Sequence, residues 1–449
     1  MSTLAGKNVV VVGLGASGVA AARLALARGA RVVAADAKPR ESLAQAARDL
    51  EAAGATLAVG SNEAAELTKA DLVVVSPGVP MFDALAKAER AGVPNIGEIE
   101  LAFRELPAGA KVLAVGGTNG KSTTTTLVGA LLEAAGHAPF VGGNLGEPFS
   151  AGVRGATRTF VLEVSSFQME RVDAFRPDSA VILNVTPDHL DRYPSVDAYA
   201  RAKGNCFARQ TERDLAVALH GDALCLREAG RGKARVVTFG VGGDVGVERD
   251  AIADGLSGER YDRDAIRLSG GHNALNVAAA LALVSPFGIA PKTVREVLAR
   301  FEGLPHRTAL AADHGGVRWY DDSKGTNVGA SVTALEMLRE PKAVLIAGGR
   351  DKGGSYAPLV EALRKKGRAV VVIGEAAELI AQAVGDAVPV HRAKDMGEAV
   401  ALSAKAARPG DAVLLSPACS SYDMFKNYEH RGAEFVRAVR AYLEKGAAK

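Results

Sequence analysis

Short β-branched runs alternate along the whole chain with alanine-rich stretches that read as helices, the pattern of parallel sheets with helices packed on both faces. The fold class is α/β. Strands are predicted at Asn8 to Val12, in a run ending at Asp36, at Leu72 to Val75 and at Lys111 to Val115, with a helix from Ser122 to Ala135. Two further buried strands are predicted in VLEVSSFQ (161–168) and AVILNVTPDHLDRY (180–193).

Glycine-rich loops follow strands at three places: VVVVGLGASG (9–18), LAVGGTNGKS (113–122) and VLIAGGRDKGG (344–354). A length of 449 residues is too long for one core, and a prior of roughly 150 residues per domain gives about three. Boundaries near residue 98 and at GLPHR (303–307) give domains 1–98, 99–304 and 305–449. The first and third are expected to be Rossmann-like, the central one a P-loop-type ATPase domain with a mostly parallel sheet. The Gly- and Asp-rich region 240–272 is expected to be an excursion within the central domain.

Composition narrows the partners. With 48% apolar and 23% charged residues and a net charge of +3, the chain resembles a soluble globular protein, and nucleic acid is not an expected partner. No apolar run reaches the ~18 residues of a membrane span, and the N-terminus enters a strand without a secretory pattern. A cytoplasmic monomer acting on small molecules is expected. Cys206, Cys225 and Cys419 form no close pair, which argues against a disulfide framework or a cysteine-rich zinc site.

Gly13-Leu14-Gly15-Ala16-Ser17-Gly18 follows a strand and opens a helix, and Asp36 ends the next strand about twenty residues on, as in a dinucleotide-binding fingerprint. A nicotinamide cofactor, another diphosphate or a structural turn would each fit this loop. The roughly 98-residue domain favours a nucleoside diphosphate in a single half-site, with Ser76-Pro77-Gly78 offering a second contact.

AVGGTNGKST (114–123) departs from the usual phosphate loop by one residue, since Val115 stands where glycine is required and Gly116 is only four residues before Gly120. Amides, hydroxyls and Lys121 nevertheless converge at a helix start, and Thr123 to Thr126 suggest hydroxyls facing a polyanion. Glu163, inside an apolar strand, needs a partner such as Mg²⁺ or a basic side chain. The second strand ends with Asn184, Asp188, His189 and Asp191, at the carboxyl edge where α/β proteins place their sites. Beyond residue 300, GLPHR, YDDSKGTN, GGRDKGG and SPACSSYDMFKNYEHRG bring cations and hydroxyls after strands, as a domain closing over nucleotide and an anionic substrate would.

In order, GTNGKST, LEVSSFQ, NVTPDHLDRY, YARAKGNCF, GGHNALN, LPHR, DDSKGTN and SPACSSYDMFKNYEHRG resemble the Mur ligase family over the whole chain. The short glycine spacing is the form that family uses. The resemblance implies an ATP-dependent acid–amino-acid ligase of peptidoglycan synthesis, hence of cell-wall biogenesis, cell shape and division. It would add D-glutamate to UDP-N-acetylmuramoyl-L-alanine through an acyl phosphate.

It further implies UDP-substrate contacts at Gly15, Ala16, Ser17, Asp36, Ser76, Pro77 and Gly78, with Asn144, Ser165 and Gln168 positioning the sugar-peptide end. ATP would use Gly117, Thr118, Asn119, Gly120, Lys121, Ser122 and Thr123 for its phosphates, and Asn276, Arg307 and Asp322 for adenine and ribose. One Mg²⁺ would lie between Ser122 and Glu163, and a second at His189 and a carbamylated Lys203; Lys121, His189 and Lys203 would be catalytic. D-glutamate would fall to Lys324, Thr326, Lys352, Ser421, Tyr422 and Tyr428. Two alternatives stay open: a sibling ligase with another amino acid, and an NAD-dependent oxidoreductase built on the first loop. A folylpolyglutamate synthetase normally lacks a Rossmann domain ahead of its ATP loop, whereas about 110 residues precede the loop here.

Overall fold

A computed structural model describes residues 4–61, 63, 65–190, 192–268 and 271–447. Asp191, and Gly270 of GGHNALN, lie outside the described residues. The chain divides into two compact units, one of Met1–Val185, Tyr199–Arg267 and Ala274–Phe301, the other of Thr186–Ala198, Leu268–Asn273 and Glu302–Lys449.

The first unit holds two sheets. Strands β1 (Asn8–Val12), β2 (Arg31–Asp36), β3 (Thr56–Val59), β4 (Leu72–Val75) and β5 (Asn95–Ile96) form a parallel sheet in the order β3-β2-β1-β4-β5. The valines of β1 and all of β4 are buried, as expected of strands covered on both faces.

The second sheet comprises β6 (Lys111–Gly116), β7 (Phe140–Gly143), β8 (Thr159–Glu163), β9 (Ser179–Ile182), β10 (Leu215–Leu219), β11 (Arg235–Gly240), β12 (Val245–Val247), β13 (Ala251–Asp254) and β14 (Glu259–Asp262). Their order is β14-β13-β12-β11-β10-β9-β6-β8-β7. The pairings β12–β13 and β13–β14 are antiparallel, so region 240–272 adds a short meander to this sheet. β6 lies between β8 and β9, with Val115 beside Glu163 and Gly116 beside Ile182. The carboxyl ends of three neighbouring strands thus meet at the glycine-rich loop.

Helix Glu98–Arg104 ties the two sheets of this unit together. Glu100, fully buried, accepts from the amides of Asp173, Ala174 and Phe175, each at 2.9 Å, and from Arg104 Nε at 2.6 Å. Glu98 Oε1 accepts from Ser150 N at 2.5 Å, and Gly97 N donates to Arg171 O at 2.8 Å. A carboxylate removed from water costs several kcal/mol unless its lone pairs are met. Glu100 meets that demand fully, Glu98 only in part: its Oε2 is buried with no hydrogen-bond partner among the described residues.

The second unit holds β15 (Ala309–His314), β16 (Val317–Asp321), β17 (Ala343–Gly348), β18 (Gly367–Ile373), β19 (Val390–Arg392) and β20 (Ala412–Leu415), ordered β15-β16-β20-β17-β18-β19. Only β15–β16 is antiparallel. Leu345, Val370 and Leu414 face one core while their neighbours Val344, Val371 and Val413 face the other, the two-residue period of strands buried on both sides. Among the described residues, no helix is long and apolar enough to cross a membrane.

Candidate active site

In the first unit, Gly13 turns at φ +88° and its carbonyl accepts from Ser76 Oγ at 2.7 Å. Gly18 must be glycine for a different reason, since a Cβ there would lie 1.8 Å from Gly13 O. Nothing lies within 4 Å of a Cβ built on Gly15, which leaves the start of helix Ala16–Ala27 open to approach. Asp36 holds this turn from the side: Oδ2 accepts from Leu14 N at 2.7 Å and Oδ1 from Lys38 N at 2.9 Å.

A cavity of about 520 Å³ opens there, lined by Gly15, Ala16, Ser17, Asp36, Ser76, Pro77 and Gly78 together with Asn144 and Gln168. Nine of the ten positions expected to contact a UDP substrate are brought together. Ser165, the tenth, is not among the lining residues; it caps helix Ser166–Met169 in a reciprocal pair with Gln168, accepting from Gln168 N at 3.2 Å. That capping box also explains why VLEVSSFQ leaves the strand after Glu163 and turns helical.

The loop after β6 is strapped from several sides. Thr118 N donates to Asn184 O at 2.9 Å, Lys121 Nζ to Thr118 O at 2.9 Å, and the buried Lys203 Nζ to Gly117 O at 2.8 Å. Lys203 Nζ also stands 4.4 Å from the ring centroid of Tyr199. Gly120 caps helix Lys121–Ala134 at φ +85°, and a Cβ there would lie 2.3 Å from Asn276 Oδ1. The first helical bond runs from Thr124 N to Gly120 O, so the amides of Lys121, Ser122 and Thr123 belong to the turn that an α-helix leaves outside its own ladder.

The threonine run behaves differently from the expectation of hydroxyls all facing a polyanion. Consecutive helical residues are spread about 100° apart around the axis. Thr124 and Thr125 are buried inward and Thr126 Oγ1 donates back to Ser122 O at 2.9 Å.

Glu163 is buried and its Oε1 accepts from Asn144 Nδ2 at 2.6 Å. With the buried hydroxyl of Ser122 in the same unit, the donors are hard oxygens, a chemistry that fits Mg²⁺.

In the second unit a cavity of about 440 Å³ is lined by Asp188, His189, Asn327, Val328, Val332 and Lys352, among others. Asp188 accepts from Asn327 Nδ2 at 3.2 Å and lies 3.8 Å from Lys352 Nζ. His189 and Ala418, both on this cavity, take left-handed φ values of 55° and 60°, conformations costing ~1–3 kcal/mol each that cluster at functional sites.

His306 and Thr308, at 62° and 52°, flank Arg307 in the same way. Asp322 is buried, accepting from Ser416 Oγ at 2.6 Å and Thr308 N at 3.1 Å. Burial pushes its carboxyl up to about 7, against the lowering effect of Ser416 and Arg307.

The residues expected to grip the amino acid divide. Lys324 Nζ stands 4.0 Å from the ring centroid of Tyr428, and Ser421 is buried. The Lys352 and Ser421 loops are joined by a two-way backbone bridge between Arg350 and Ser420, at 2.9 and 3.0 Å. Tyr422, by contrast, is 68% exposed. Arg431, to which no role was attached, is the largest fully buried side chain among the described residues: it donates to Ser323 Oγ at 3.0 Å, Ser323 O at 2.8 Å and Cys419 O at 3.1 Å. An arginine inside a long helix gives no sign in sequence that two loops, at Ser323 and Cys419, converge on it.

Three α/β sheets and a glycine-rich loop at a helix N-terminus define a P-loop-type nucleotide-binding protein. Residues 7–97 match the family description "Mur ligase MurD-like, N-terminal domain", residues 115–284 "Mur ligase middle domain" and residues 306–419 "Mur ligase, glutamate ligase domain". The chain belongs to the Mur ligase family.

It is 44% identical over 451 residues to the UDP-N-acetylmuramoylalanine–D-glutamate ligase of Trichlorobacter lovleyi, covering 97% of this chain and 98% of that one. To the protein of the same name from Myxococcus xanthus it is 43% identical over 453 residues, covering 98% and 99%. Among solved structures it shares its fold with a MurF ligase from Thermotoga maritima in complex with ADP, at a TM-score of 0.63 and 18% identity over 99% of this chain and 100% of that one. The UDP-N-acetylmuramate-alanine ligase MurC of Thermotoga maritima gives a TM-score of 0.60 and 21% identity, over 97% and 100%.

Proposed function

We propose that this chain uses ATP to join the amine of D-glutamate to the carboxylate of UDP-N-acetylmuramoyl-L-alanine, in the cytoplasm and as a monomer. The observation that carries this is likeness over nearly the whole length, at 44% identity, to a ligase named for that reaction. Residues 1–98 hold the UDP end through the fingerprint turn and the 520 Å³ cavity, with Asn144 and Gln168 toward the sugar. Residues 99–304 hold ATP on Gly117 to Thr123, and residues 305–449 receive the amino acid.

A carboxylate oxygen of the substrate attacks the γ-phosphorus of ATP, the bond to the β-phosphate oxygen breaks, and ADP leaves. The amine of D-glutamate then attacks the acyl carbon, loses a proton and expels inorganic phosphate. Anion must approach anion, so the chain's contribution is position and positive charge. Lys121 and the first-turn amides hold the phosphates. Arg307, Asp322 and Asn276 take the nucleoside, while Lys324, Thr326, Lys352, Ser421 and the backbone near Tyr428 take the amino acid's carboxylates.

Ser122 and Glu163 would hold one Mg²⁺, and His189 with a carbamylated Lys203 a second; bound Mg²⁺ neutralises phosphate charge. A carbamate would turn the Lys203 cation into an anionic oxygen donor, the kind that Mg²⁺ prefers.

The test is ADP release with UDP-N-acetylmuramoyl-L-alanine and D-Glu, L-Glu, L-Ala or L-Lys in turn. Turnover with D-Glu alone is expected. Turnover with L-Ala or L-Lys instead would move the chain to a sibling reaction, and no ADP with any acceptor would overturn the proposal.

A further inference from the structure

Asn184 lies two residues past the end of β9 and grips the phosphate loop with both ends of its side-chain amide. Its Oδ1 accepts from Asn119 N at 2.9 Å and its Nδ2 donates to Asn119 O at 3.1 Å. An asparagine amide carries one acceptor and one donor group, matched here to the donor and acceptor of a single backbone residue. The pairing resembles one rung of a sheet ladder, made by a side chain across 65 residues of sequence.

Because a trans peptide is planar, its N–H and C=O point in opposite directions. No cis peptide is present among the described residues. With Asn119 N–H held toward Asn184, the carbonyl of Thr118 is turned the other way, where it accepts from Lys121 Nζ at 2.9 Å. With Asn119 C=O held toward Asn184, the N–H of Gly120, the residue that caps helix Lys121–Ala134, is likewise aimed to the opposite side. One side chain thereby sets the orientation of two successive peptides, and through them the place of the lysine and the first donor of the helix cap. The Thr118 N–H is also taken by Asn184, through its backbone carbonyl at 2.9 Å.

We infer that Asn184 is the positioning residue of the ATP loop: it acts on the nucleotide through Asn119 and Lys121. This rests on the assignment of Gly117 to Thr123 as the ATP loop. Asn184→Ala should leave the loop's sequence intact but free both peptides to rotate, so the defect should fall on nucleotide binding and not on the other substrates.

The experiment titrates ADP calorimetrically into wild type and Asn184→Ala, and measures KM for ATP, D-glutamate and UDP-N-acetylmuramoyl-L-alanine. Expected are a tenfold or greater loss of ADP affinity, a matching rise in KM for ATP, and KM values for the other two substrates within twofold of wild type. Asn184→Ser, which keeps one polar partner, stands in if the alanine variant does not melt cooperatively. Unchanged ADP affinity, or equal losses for all three substrates, would overturn the inference. Failure of the wild type to bind ADP would instead remove the ATP-loop assignment itself.

Discussion

Lys203 Nζ donates to the carbonyl of Gly117 at 2.8 Å, so the buried amine proposed to carry a carbamate lies directly against the ATP loop. As an ammonium it fastens the loop; as a carbamate it would present two oxygens sharing one negative charge in the same neighbourhood. The two states make opposite predictions for Lys203→Ala. If the carbamate is required, the variant loses roughly a hundredfold or more of its activity, and added formate or acetate restores part of it by supplying the missing carboxylate. If only the ammonium matters, short acids have no effect.

Lys121 is the one cation in the ATP loop's own sequence, held to Thr118 O at 2.9 Å. Removing a preorganised charge aimed at a transferring phosphoryl group costs ~4 kcal/mol, or about a thousandfold in rate. Lys121→Ala is therefore expected to lose ADP formation by about that factor while still binding UDP-N-acetylmuramoyl-L-alanine. Near-normal ligation by the variant would contradict the role given to the loop.

Much of this arrangement is legible in the sequence. Apolar runs ending in glycine-rich turns mark where strands stop and loops begin, because a strand buried on both faces leaves a signature that needs no partner to be recognised. Strands β1, β2 and β4 of the first sheet follow from that pattern, whereas β3, largely half-buried, and the two-residue β5 do not carry it; the excursion at 240–272 shows instead in its Gly- and Asp-rich composition.

What depends on distant contacts does not show. The Asn184 amide meets Asn119 across 65 residues, and Arg431 meets Ser323 across 108. Ser165 and Gln168 spend much of their hydrogen bonding on each other, a local capping box hidden beneath an apparent strand. Thr186–Ala198 groups with the C-terminal unit, although it continues a central strand in sequence.

Asp36 bonds two backbone amides, at 2.7 Å to Leu14 and 2.9 Å to Lys38, and lines the 520 Å³ cavity. Hydrogen bonds to a charged acceptor contribute ~1.5–3 kcal/mol each. Asp36→Ala should therefore raise KM for the UDP substrate by roughly tenfold or more and leave KM for ATP within twofold. An equal rise in both would show that the fingerprint turn is not a substrate site of its own.

Burial pushes the Glu98 carboxyl from 4.5 up to about 7. The folded state then binds more protons than the unfolded chain between those values, so the contribution of Glu98 to stability is full below about 4.5 and is lost as pH rises through about 7. Glu98→Gln keeps an acceptor for Ser150 N and removes the ionisation. Its thermal stability should match wild type near pH 4 and exceed it at pH 8, by a free energy bounded by about 3.4 kcal/mol. A gain that is the same at both values would mean that the carboxyl is not what titrates.

Oxygen transfer tests the proposed chemistry most directly. With both carboxylate oxygens of UDP-N-acetylmuramoyl-L-alanine isotopically labelled, ligation of D-glutamate through an acyl phosphate must deliver one label to each inorganic phosphate released and retain the other in the new amide. Finding that distribution, in step with ADP, is the predicted result; unlabelled phosphate would contradict it.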